Sequence, residues 1–297
     1  MNSLDARAGL SGKCAVVVGG AGGIGRAVSL ALAQAGVAIA ACDLDESASR
    51  SIVAEVEAFG QKALSMQVDV CDADALDRFY DQIALQFDQI DILVNVAGGV
   101  KRAAFMQTTR DQNAAAIRLN YGYVLDSVRR AVPLIRKGGA GGSIINFTTI
   151  EAHRGAANLA VYAGAKAATT NFSRALAVEL AAERIRVNLI APDTTPSVTS
   201  MNAMEPELRA RISALPERAL AEVYRMYIPQ KCAPTEEELA DAVLFLASDL
   251  SRSITGTTLH VDGGTMAASG FIDWPYGDGY APAPLPETIT RLFVKGV

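Results

Sequence analysis

The chain has 297 residues, of which 50% are hydrophobic and 20% are charged, and its formal net charge is −5. This composition supplies enough apolar surface for one sizeable core, and the acidic balance without clustered Lys and Arg argues against a nucleic-acid or anionic membrane partner. Because the sequence contains neither an N-terminal signal segment nor an apolar run of about 18 residues, we expect a cytoplasmic protein that does not enter a membrane.

Short β-branched or apolar runs alternate with longer segments of helical periodicity along residues 14–261. The alternation predicts an α/β fold: a doubly wound parallel sheet of about seven strands with helices on both faces. The predicted strands are residues 14–18, 37–42, 63–67, 92–94, 143–147, 185–190 and 258–261. Residues 113–136 are predicted to form one long helical stretch that Pro133 bends.

Two segments interrupt the alternation. Residues 193–234 are rich in Thr, Pro, Met and Arg and contain a weak helical pattern over 205–227, which is typical of an insertion above a sheet. Residues 266–297 are rich in Gly, Pro and aromatic residues, too punctuated for a helix and too apolar for a solvated linker. We therefore predict one domain over residues 1–265, in which 193–234 form a lid, and a C-terminal extension over 266–297 that packs on the domain or on a partner subunit.

A glycine-rich segment follows the first predicted strand. In VVGGAGGIGRA, Gly19, Gly23 and Gly25 have the spacing GxxxGxG, and a helix is predicted over residues 24–34. Glycines at such a turn allow the backbone to approach a pyrophosphate, whose charge is met by free amides and by the positive end of the helix. A tight strand-to-helix turn without a ligand has the same pattern, so the spacing needs a second signal.

That second signal is Asp43, which ends the second strand 18 residues after Gly25. A carboxylate at this position accepts hydrogen bonds from both ribose hydroxyls of an adenosine and repels a 2′-phosphate. Neither position 22 nor position 44 carries a cation, which favours NAD over NADP. The alternative role for Asp43 is a helix N-cap in the segment DLDES, a role that Asp45 also fits.

Tyr162 and Lys166 are four residues apart in VYAGAKAA, so they lie one turn apart on the same helix face. An ammonium beside a phenol is expected to lower the phenol's pKa towards neutrality, which makes tyrosine a usable acid and base. Thr149 closes the fifth strand 13 residues before Tyr162, and Asn120 lies in AAIRLNYG. The alternatives are a structural β-branched residue at a strand end for Thr149 and a solvent-facing helical residue for Asn120.

Taken in order, these motifs resemble the short-chain dehydrogenase/reductase family over residues 10–265. The resemblance implies a Rossmann-like fold with NAD as the cofactor. It implies the following cofactor-binding residues: Gly19, Gly23, Ile24, Gly25, Asp43, Leu44, Asp69, Val70, Asn95, Ala97, Gly98, Tyr162, Lys166, Pro192 and Thr194. The chain departs from the family pattern at Val18, Val96 and Asp193, where the family usually has Thr, Asn and Gly.

The same resemblance implies four catalytic residues: Asn120, Thr149, Tyr162 and Lys166. Tyr162 is then the acid/base residue, and Lys166 also binds the nicotinamide ribose. Thr149 replaces the family's Ser that hydrogen-bonds the substrate oxygen, and Asn120 bends its helix and anchors a water of the proton relay. No metal site is expected, because the His and Cys residues lack paired ligand spacing.

We predict an oxidoreductase that transfers a hydride between NAD and a secondary alcohol or ketone of a small to medium, mainly apolar substrate. One alternative is an NAD-using epimerase or dehydratase. The other is a non-catalytic NAD-binding scaffold, which the four departures from the family pattern at Val18, Val96, Thr149 and Asp193 suggest. The presence of Tyr162, Lys166 and Asn120 argues against it. The family also implies a homodimer or homotetramer.

Overall fold

The computed structural model describes residues 3–196, 206–277 and 279–294. Their contacts divide the chain into two compact units. One unit contains the described residues of Met1–Ala191 and Glu236–Leu259, and the other contains those of Pro192–Thr235 and His260–Val297. None of the described helices is long and apolar enough to cross a membrane.

The main sheet confirms the predicted fold class. Its strands are β1 (Cys14–Val18), β2 (Ala38–Asp43), β3 (Ala63–Gln67), β4 (Ile92–Asn95), β5 (Gly142–Phe147), β6 (Ile185–Pro192) and β7 (Thr258–Val261). They lie in the order β3-β2-β1-β4-β5-β6-β7, and the neighbours from β3 to β6 run parallel. Each strand was predicted at its observed place, with ends that differ by two residues at most.

Helices connect these strands. The helices are α1 (Ser3–Ala8), α2 (Gly23–Gln34), α3 (Glu46–Glu57), α4 (Ala73–Gln86), α5 (Arg110–Ile117), α6 (Tyr123–Gly138), α7 (Ala160–Glu179), α8 (Pro206–Ser213), α9 (Glu217–Tyr227), α10 (Glu236–Ala247), α11 (Thr265–Ala268) and α12 (Pro286–Phe293). Asp45 caps α3 by accepting from the amides of Ser47 and Ala48. The helix-capping role is therefore filled by Asp45, and the carboxylate of Asp43 is left for another function.

The central strands are buried and mainly apolar because helices cover both faces of the sheet. All five residues of β1 are buried. Val16 belongs to a core cluster with Phe79 and Tyr80 of α4 and Val128 of α6. Its neighbour Val17 points to the opposite face and is also fully buried, and α2 packs against α10.

The strand order creates a crevice at the carboxyl ends of β1 and β4. From β1 the chain proceeds to β2 on one side of the sheet, whereas β4 lies on the other side. Such a switch point leaves the carboxyl ends of the two strands open to a ligand. Main-chain hydrogen bonds link the ends of β1 and β4, because the amides of Val96 and Ala97 both donate to the carbonyl of Val18 at 2.9 Å.

The long helical stretch predicted over residues 113–136 is divided around Asn120, where the family resemblance implies a bend, and not at Pro133. A π-helical turn, Arg118–Gly122, separates α5 from α6, and α6 continues through Pro133 to Gly138. The π turn forms where the side chain of Asn120 bonds to the main chain of another segment. A tertiary contact therefore interrupts this stretch, and Pro133 does not.

Two secondary-structure predictions for segments of the second unit were wrong. The helical pattern predicted from Glu205 to Tyr227 forms two helices, α8 and α9, because Pro216 stands at the N-cap of α9; Glu205 itself lies outside the described residues. The C-terminal extension was expected to lack helices, yet it contains α11 and α12 besides a hairpin of β8 (Ile272–Trp274) and β9 (Gly279–Ala281). Pro286 suits the first turn of α12, where its missing N–H costs nothing.

Lys231 ties the hairpin to the segment that follows α9. Its ammonium bonds to the carboxylate of Asp273, to the carbonyl of Arg225 at 3.1 Å and to the hydroxyl of Tyr280 at 3.2 Å. It also lies 4.6 Å from the centroid of the Tyr280 ring. Parts of the proposed lid and of the proposed extension thus pack together within one unit; the domain boundaries given above remain a proposal.

We expect Lys231→Met to loosen this hairpin without unfolding the protein. A partly exposed ion pair contributes less than about 1 kcal/mol, so amide hydrogen exchange in β8 and β9 should accelerate by up to about five-fold. Lys137→Met, which removes an exposed cation at the end of α6, is the matched control and should leave these amides unchanged. Equal exchange rates in both variants would contradict the prediction.

Candidate active site

The glycine turn between β1 and α2 is a close-packed loop that excludes side chains at two positions. A Cβ on Gly19, whose φ is +81°, would lie 2.7 Å from the amide nitrogen of Ala97. A Cβ on Gly25 would lie 1.7 Å from the carbonyl oxygen of Gly19. Gly23 and Ile24 form the start of α2, and no side chain caps this end of the helix. The start of α2 therefore presents backbone amides and the positive end of a helix dipole at the crevice.

The carboxylate of Asp43 lies directly against this turn. Its Oδ2 accepts from the amide of Ala21 at 3.1 Å, and its Oδ1 accepts from the amide of Asp45 at 3.3 Å. The next residue, Leu44, is 66% exposed. The structure thus brings together the two features that the sequence analysis took as paired signals, the glycine turn and the acidic end of β2.

Asp69 and Val70 follow β3, at the same edge of the sheet. Val70 is buried in the core, whereas Asp69 is exposed and its Oδ1 accepts from the amide of Cys71 at 2.8 Å. β3 is the neighbour of β2. These two residues are therefore on the side of the crevice where Asp43 lies.

Asn95 ends β4, and its side chain points into the sheet. The amide nitrogen donates to Asn146 at 2.8 Å, and the amide oxygen accepts from Ser127 at 2.7 Å. Only 1% of the residue is exposed. Because both ends of the amide are engaged in the interior, a role of Asn95 in cofactor binding is left to its main chain.

Ala97 and Gly98 connect the glycine turn with the predicted catalytic residues. Ala97 lies against Gly19, as described above, and its carbonyl accepts from the hydroxyl of Tyr123 at 2.7 Å. A Cβ on Gly98 would lie 3.0 Å from Oδ1 of Asn120 and 3.2 Å from Nζ of Lys166. The absence of a side chain at Gly98 thus lets the backbone after β4 approach both polar groups.

Asn120 is fully buried in the π turn and does not face solvent. Its side-chain nitrogen donates to the carbonyls of Gly99 at 2.9 Å and Ala116 at 3.0 Å, and its oxygen accepts from the amide of Gly99 at 3.2 Å. Its main-chain carbonyl accepts from the hydroxyl of Thr169 on α7 at 3.0 Å. These bonds fix the loop after β4 to the helix that carries Tyr162 and Lys166.

Thr149, Tyr162 and Lys166 meet where β5 ends beside α7. Lys166 is only 4% exposed, and its ammonium donates to the carbonyl of Phe147 at 3.0 Å. The side chain of Thr149 lies near enough to the phenol of Tyr162 to lower its pKa. The structure therefore places the four predicted catalytic residues around the carboxyl ends of β4 and β5. Asn120 and Lys166 both lie beside Gly98.

The pKa values differ from the expectation. Burial raises the pKa of Tyr162 to about 12; the hydrogen bond with Thr149 opposes this rise, and the carboxylate of Glu151 adds to it. Burial lowers the pKa of the Lys166 ammonium to about 8. The expected lowering of the phenol's pKa by Lys166 is wrong for this structure, because the ammonium is directed at the carbonyl of Phe147 and at Gly98.

Glu151 is a site residue that the sequence analysis did not identify. It lies in a 3-10 turn, Ile150–Ala152, directly after Thr149. Its Oε2 accepts from the Thr149 hydroxyl, and its Oε1 accepts from Arg154 at 3.0 Å. The only signal in the sequence is an acid and a base three residues apart in the segment FTTIEAHRG, immediately after the strand.

Two predicted cofactor residues lie in the second unit. Pro192 is the last residue of β6, and the hydroxyl of Thr194 donates to the Asp193 carboxylate at 3.4 Å. Their cofactor contacts stay predictions. In the described part of the chain, no cluster of His, Cys, Asp and Glu side chains is arranged to hold a metal ion.

The chain is similar to known oxidoreductases along most of its length. The family model described as enoyl-(acyl carrier protein) reductase matches residues 19–266. The 2,3-dihydro-2,3-dihydroxybenzoate dehydrogenase of Bacillus subtilis is 32% identical over 256 residues, which are 86% of this chain and 97% of that protein.

Solved structures of dehydrogenases are also similar to this chain. The structure of carveol dehydrogenase from Mycobacterium avium in complex with NAD has a TM-score of 0.80 and 29% identity, over 86% of this chain and 98% of that one. A short-chain type dehydrogenase/reductase from Mycobacterium marinum has a TM-score of 0.75 and 29% identity, over 86% of this chain and 96% of that one.

Proposed function

Since the chain belongs to the short-chain dehydrogenase/reductase family, we propose that it uses NAD in preference to NADP and acts on small to medium, mainly apolar substrates. It is an oxidoreductase that transfers a hydride between a nicotinamide cofactor and an alcohol or ketone. The observation that carries the cofactor proposal is the position of the Asp43 carboxylate beside the glycine turn.

The residues at the crevice fit a dinucleotide. At Gly19 and Gly25 a Cβ would collide with neighbouring backbone, and the start of α2, which no side chain caps, offers the amides of its first turn to a phosphate. The carboxylate of Asp43 lies beside the turn at the end of β2. In dinucleotide-binding folds of this kind an acidic residue at the end of the second strand binds the hydroxyls of the adenosine ribose while the glycine turn holds the pyrophosphate.

NAD is favoured because the group at the end of β2 is an anion. A carboxylate accepts hydrogen bonds from the two ribose hydroxyls of NAD, but it repels the 2′-phosphate of NADP. Position 22 is Gly22 and position 44 is Leu44, so neither supplies a cation to offset that repulsion.

We expect wild-type protein to have a higher kcat/KM with NAD than with NADP. In Asp43→Ser, kcat/KM with NAD should fall by about 10- to 100-fold, because hydrogen bonds to a charged group are worth roughly 1.5 to 3 kcal/mol. With NADP it should fall less or rise. Steady-state kinetics with both cofactors measure this change.

Asp45→Asn is the matched control, because it removes a nearby carboxylate that caps α3 and lies outside the turn. It should leave the ratio of the two kcat/KM values unchanged. A wild-type preference for NADP, or an equal loss with both cofactors in Asp43→Ser, would overturn the proposal.

The positions of the side chains support the catalytic roles that the family resemblance implies. The nicotinamide ring, when bound, supplies or accepts the hydride. Tyr162 then gives a proton to the ketone oxygen, or takes one from the alcohol, and Thr149 helps to hold that oxygen. Lys166 binds the nicotinamide ribose, and Asn120 fixes the loop after β4 and anchors the proton relay.

The scaffold alternative is not favoured, because four side chains suited to proton chemistry converge at one place. The stoichiometry of NADH release distinguishes the proposed dehydrogenase from an epimerase or dehydratase, because an alcohol dehydrogenase releases one NADH for each alcohol consumed.

A panel of cyclic and aliphatic secondary alcohols tests the proposed substrate class. Size-exclusion chromatography tests the proposed homodimer or homotetramer.

A further inference from the structure

The carboxylate of Glu151 lies beside the hydroxyl that is proposed to hold the substrate oxygen. Its Oε2 accepts from the hydroxyl of Thr149, and its Oε1 accepts from the guanidinium of Arg154 at 3.0 Å. The Glu151 side chain is only 13% exposed, and Thr149 stands at the N-cap of the 3-10 turn that carries it. The carboxylate is therefore held from two sides at the end of β5, where the reaction is proposed to occur.

The Thr149 hydroxyl has a single proton, and two groups need it. In this structure the proton is donated to Glu151. The role proposed for Thr149 requires the same proton for the substrate oxygen. A carboxylate only accepts hydrogen bonds, so Oε2 of Glu151 loses this donor whenever Thr149 turns to the substrate. Because a largely buried charged acceptor without a donor is unfavourable, the bound substrate is expected to supply a new one.

We propose that Glu151 selects vicinal diols, in which a second hydroxyl stands on the carbon next to the one that is oxidised, and the corresponding α-hydroxyketones in the reverse direction. The second hydroxyl donates to Oε2 of Glu151 while Thr149 holds the reacting oxygen. The proposal rests on the proposed function, in which Thr149 and Tyr162 act on the reacting oxygen, and it adds a substrate class to that function.

The distances around a shared hydroxyl suit a vicinal diol. Two groups that are hydrogen-bonded to one hydroxyl oxygen, each at about 2.8 Å, lie about 4.5 Å apart. Oε2 of Glu151 and a reacting oxygen held by Thr149 have this relation. The two oxygens of a staggered vicinal diol are about 2.9 Å apart, so the second oxygen reaches Oε2 at about 2.8 Å. A mono-alcohol has only a C–H bond at that place.

Arg154 makes a neutral hydroxyl a better partner than an ammonium group. The guanidinium pairs with the carboxylate of Glu151, so the two side chains together carry no net charge. A substrate ammonium would be attracted by Glu151 but repelled by Arg154 at a similar distance. A hydroxyl donates to Oε2 without that repulsion, which is why the proposed class is a diol and not an amino alcohol.

The second hydroxyl takes no part in the bond changes. In oxidation the C–H bond of the reacting carbon breaks and its hydride passes to the nicotinamide of NAD, while the reacting hydroxyl gives its proton to Tyr162. The products are one α-hydroxyketone, one NADH and one proton for each diol. The neighbouring hydroxyl leaves unchanged in the product.

Matched alcohols test the proposal with the wild-type protein. The cyclic set is cyclohexane-1,2-diol, its mono-methyl ether and cyclohexanol, and the acyclic set is butane-2,3-diol, its mono-methyl ether and butan-2-ol. The ethers keep the second oxygen but lack its proton. With NAD, kcat/KM for the best diol isomer should exceed that for its ether and its mono-alcohol by at least about ten-fold, because the hydrogen bond is made to a charged group.

Glu151→Gln is expected to move the two classes of substrate in opposite directions. The diol loses the charge that accepts its second hydroxyl, so its kcat/KM should fall by about ten-fold or more. For the mono-alcohol, kcat/KM should rise by about two- to five-fold, because a carboxylate no longer competes for the Thr149 proton. A folding defect would instead lower both values. Glu183→Gln, which removes a surface carboxylate that pairs with Arg136 at 2.6 Å, is the matched control and should keep the wild-type ratio.

A wild-type protein that oxidises the mono-alcohols or the ethers as well as the diols would overturn the proposal, and so would a diol preference that Glu151→Gln leaves unchanged. If mono-alcohols are oxidised with NAD and the diols have no advantage, the role of Glu151 fails and the proposed function stands. If no alcohol of either set is oxidised, both fail.

Discussion

Tyr162→Phe is expected to lower kcat by about 10³-fold or more, because positioned acid/base groups typically contribute factors of 10² to 10⁴. The substitution removes only the phenolic oxygen, so the ring keeps its packing on α7. NAD binding should stay within about three-fold of wild type, since the glycine turn and Asp43 are untouched. Stopped-flow or steady-state assays give kcat, and titration of NADH fluorescence gives the Kd.

Tyr80→Phe supplies the control for losing a buried phenol. The hydroxyl of Tyr80 bonds to Ser127 at 2.7 Å in the core between α4 and α6. Its removal should cost roughly 1 kcal/mol of unfolding free energy while kcat is kept. A Tyr162→Phe protein with most of its activity would contradict the proposed mechanism, and one that fails to bind NADH would shift the role of Tyr162 from catalysis to binding.

The central strands were predictable because most of their residues are apolar on both faces. A strand such as β1, CAVVV, forms a continuous apolar run because helices cover both of its sides. The paired signals of the glycine turn and Asp43 were predictable too, since each follows a strand and the carboxyl ends of neighbouring parallel strands meet at one edge.

What sequence reasoning missed depends on contacts between distant segments. The family resemblance implied a bend at Asn120, but the π turn arises because Asn120 bonds to Gly99, 21 residues away, and no local pattern encodes that bond. The expected pKa of Tyr162 was wrong because spacing along a helix shows that Lys166 is near but does not show where the ammonium points. Glu151 was overlooked because its partner is a hydroxyl whose direction depends on a 3-10 turn.

Gly25→Ala is expected to abolish NAD binding, with a Kd raised by at least about 100-fold, or roughly 2.7 kcal/mol. The added Cβ would lie 1.7 Å from the carbonyl oxygen of Gly19, closer than any non-bonded contact allows. The turn must therefore move away from α2. That displacement would separate the amides at the start of α2 from the phosphate they are proposed to hold.

Gly60→Ala distinguishes this effect from ordinary backbone strain. Gly60 also has a positive φ, +76°, but a Cβ there would meet nothing within 4 Å. Gly60→Ala should therefore cost about 1 to 2 kcal/mol of stability and leave the Kd for NAD unchanged. Both variants are compared by thermal unfolding and by NADH titration of the same preparation, so that a loss of binding is read only from folded protein. A folded Gly25→Ala protein with wild-type affinity would show that the close contact between Gly19 and Gly25 serves the strand-to-helix turn alone, and the phosphate would then have to be held elsewhere in the crevice.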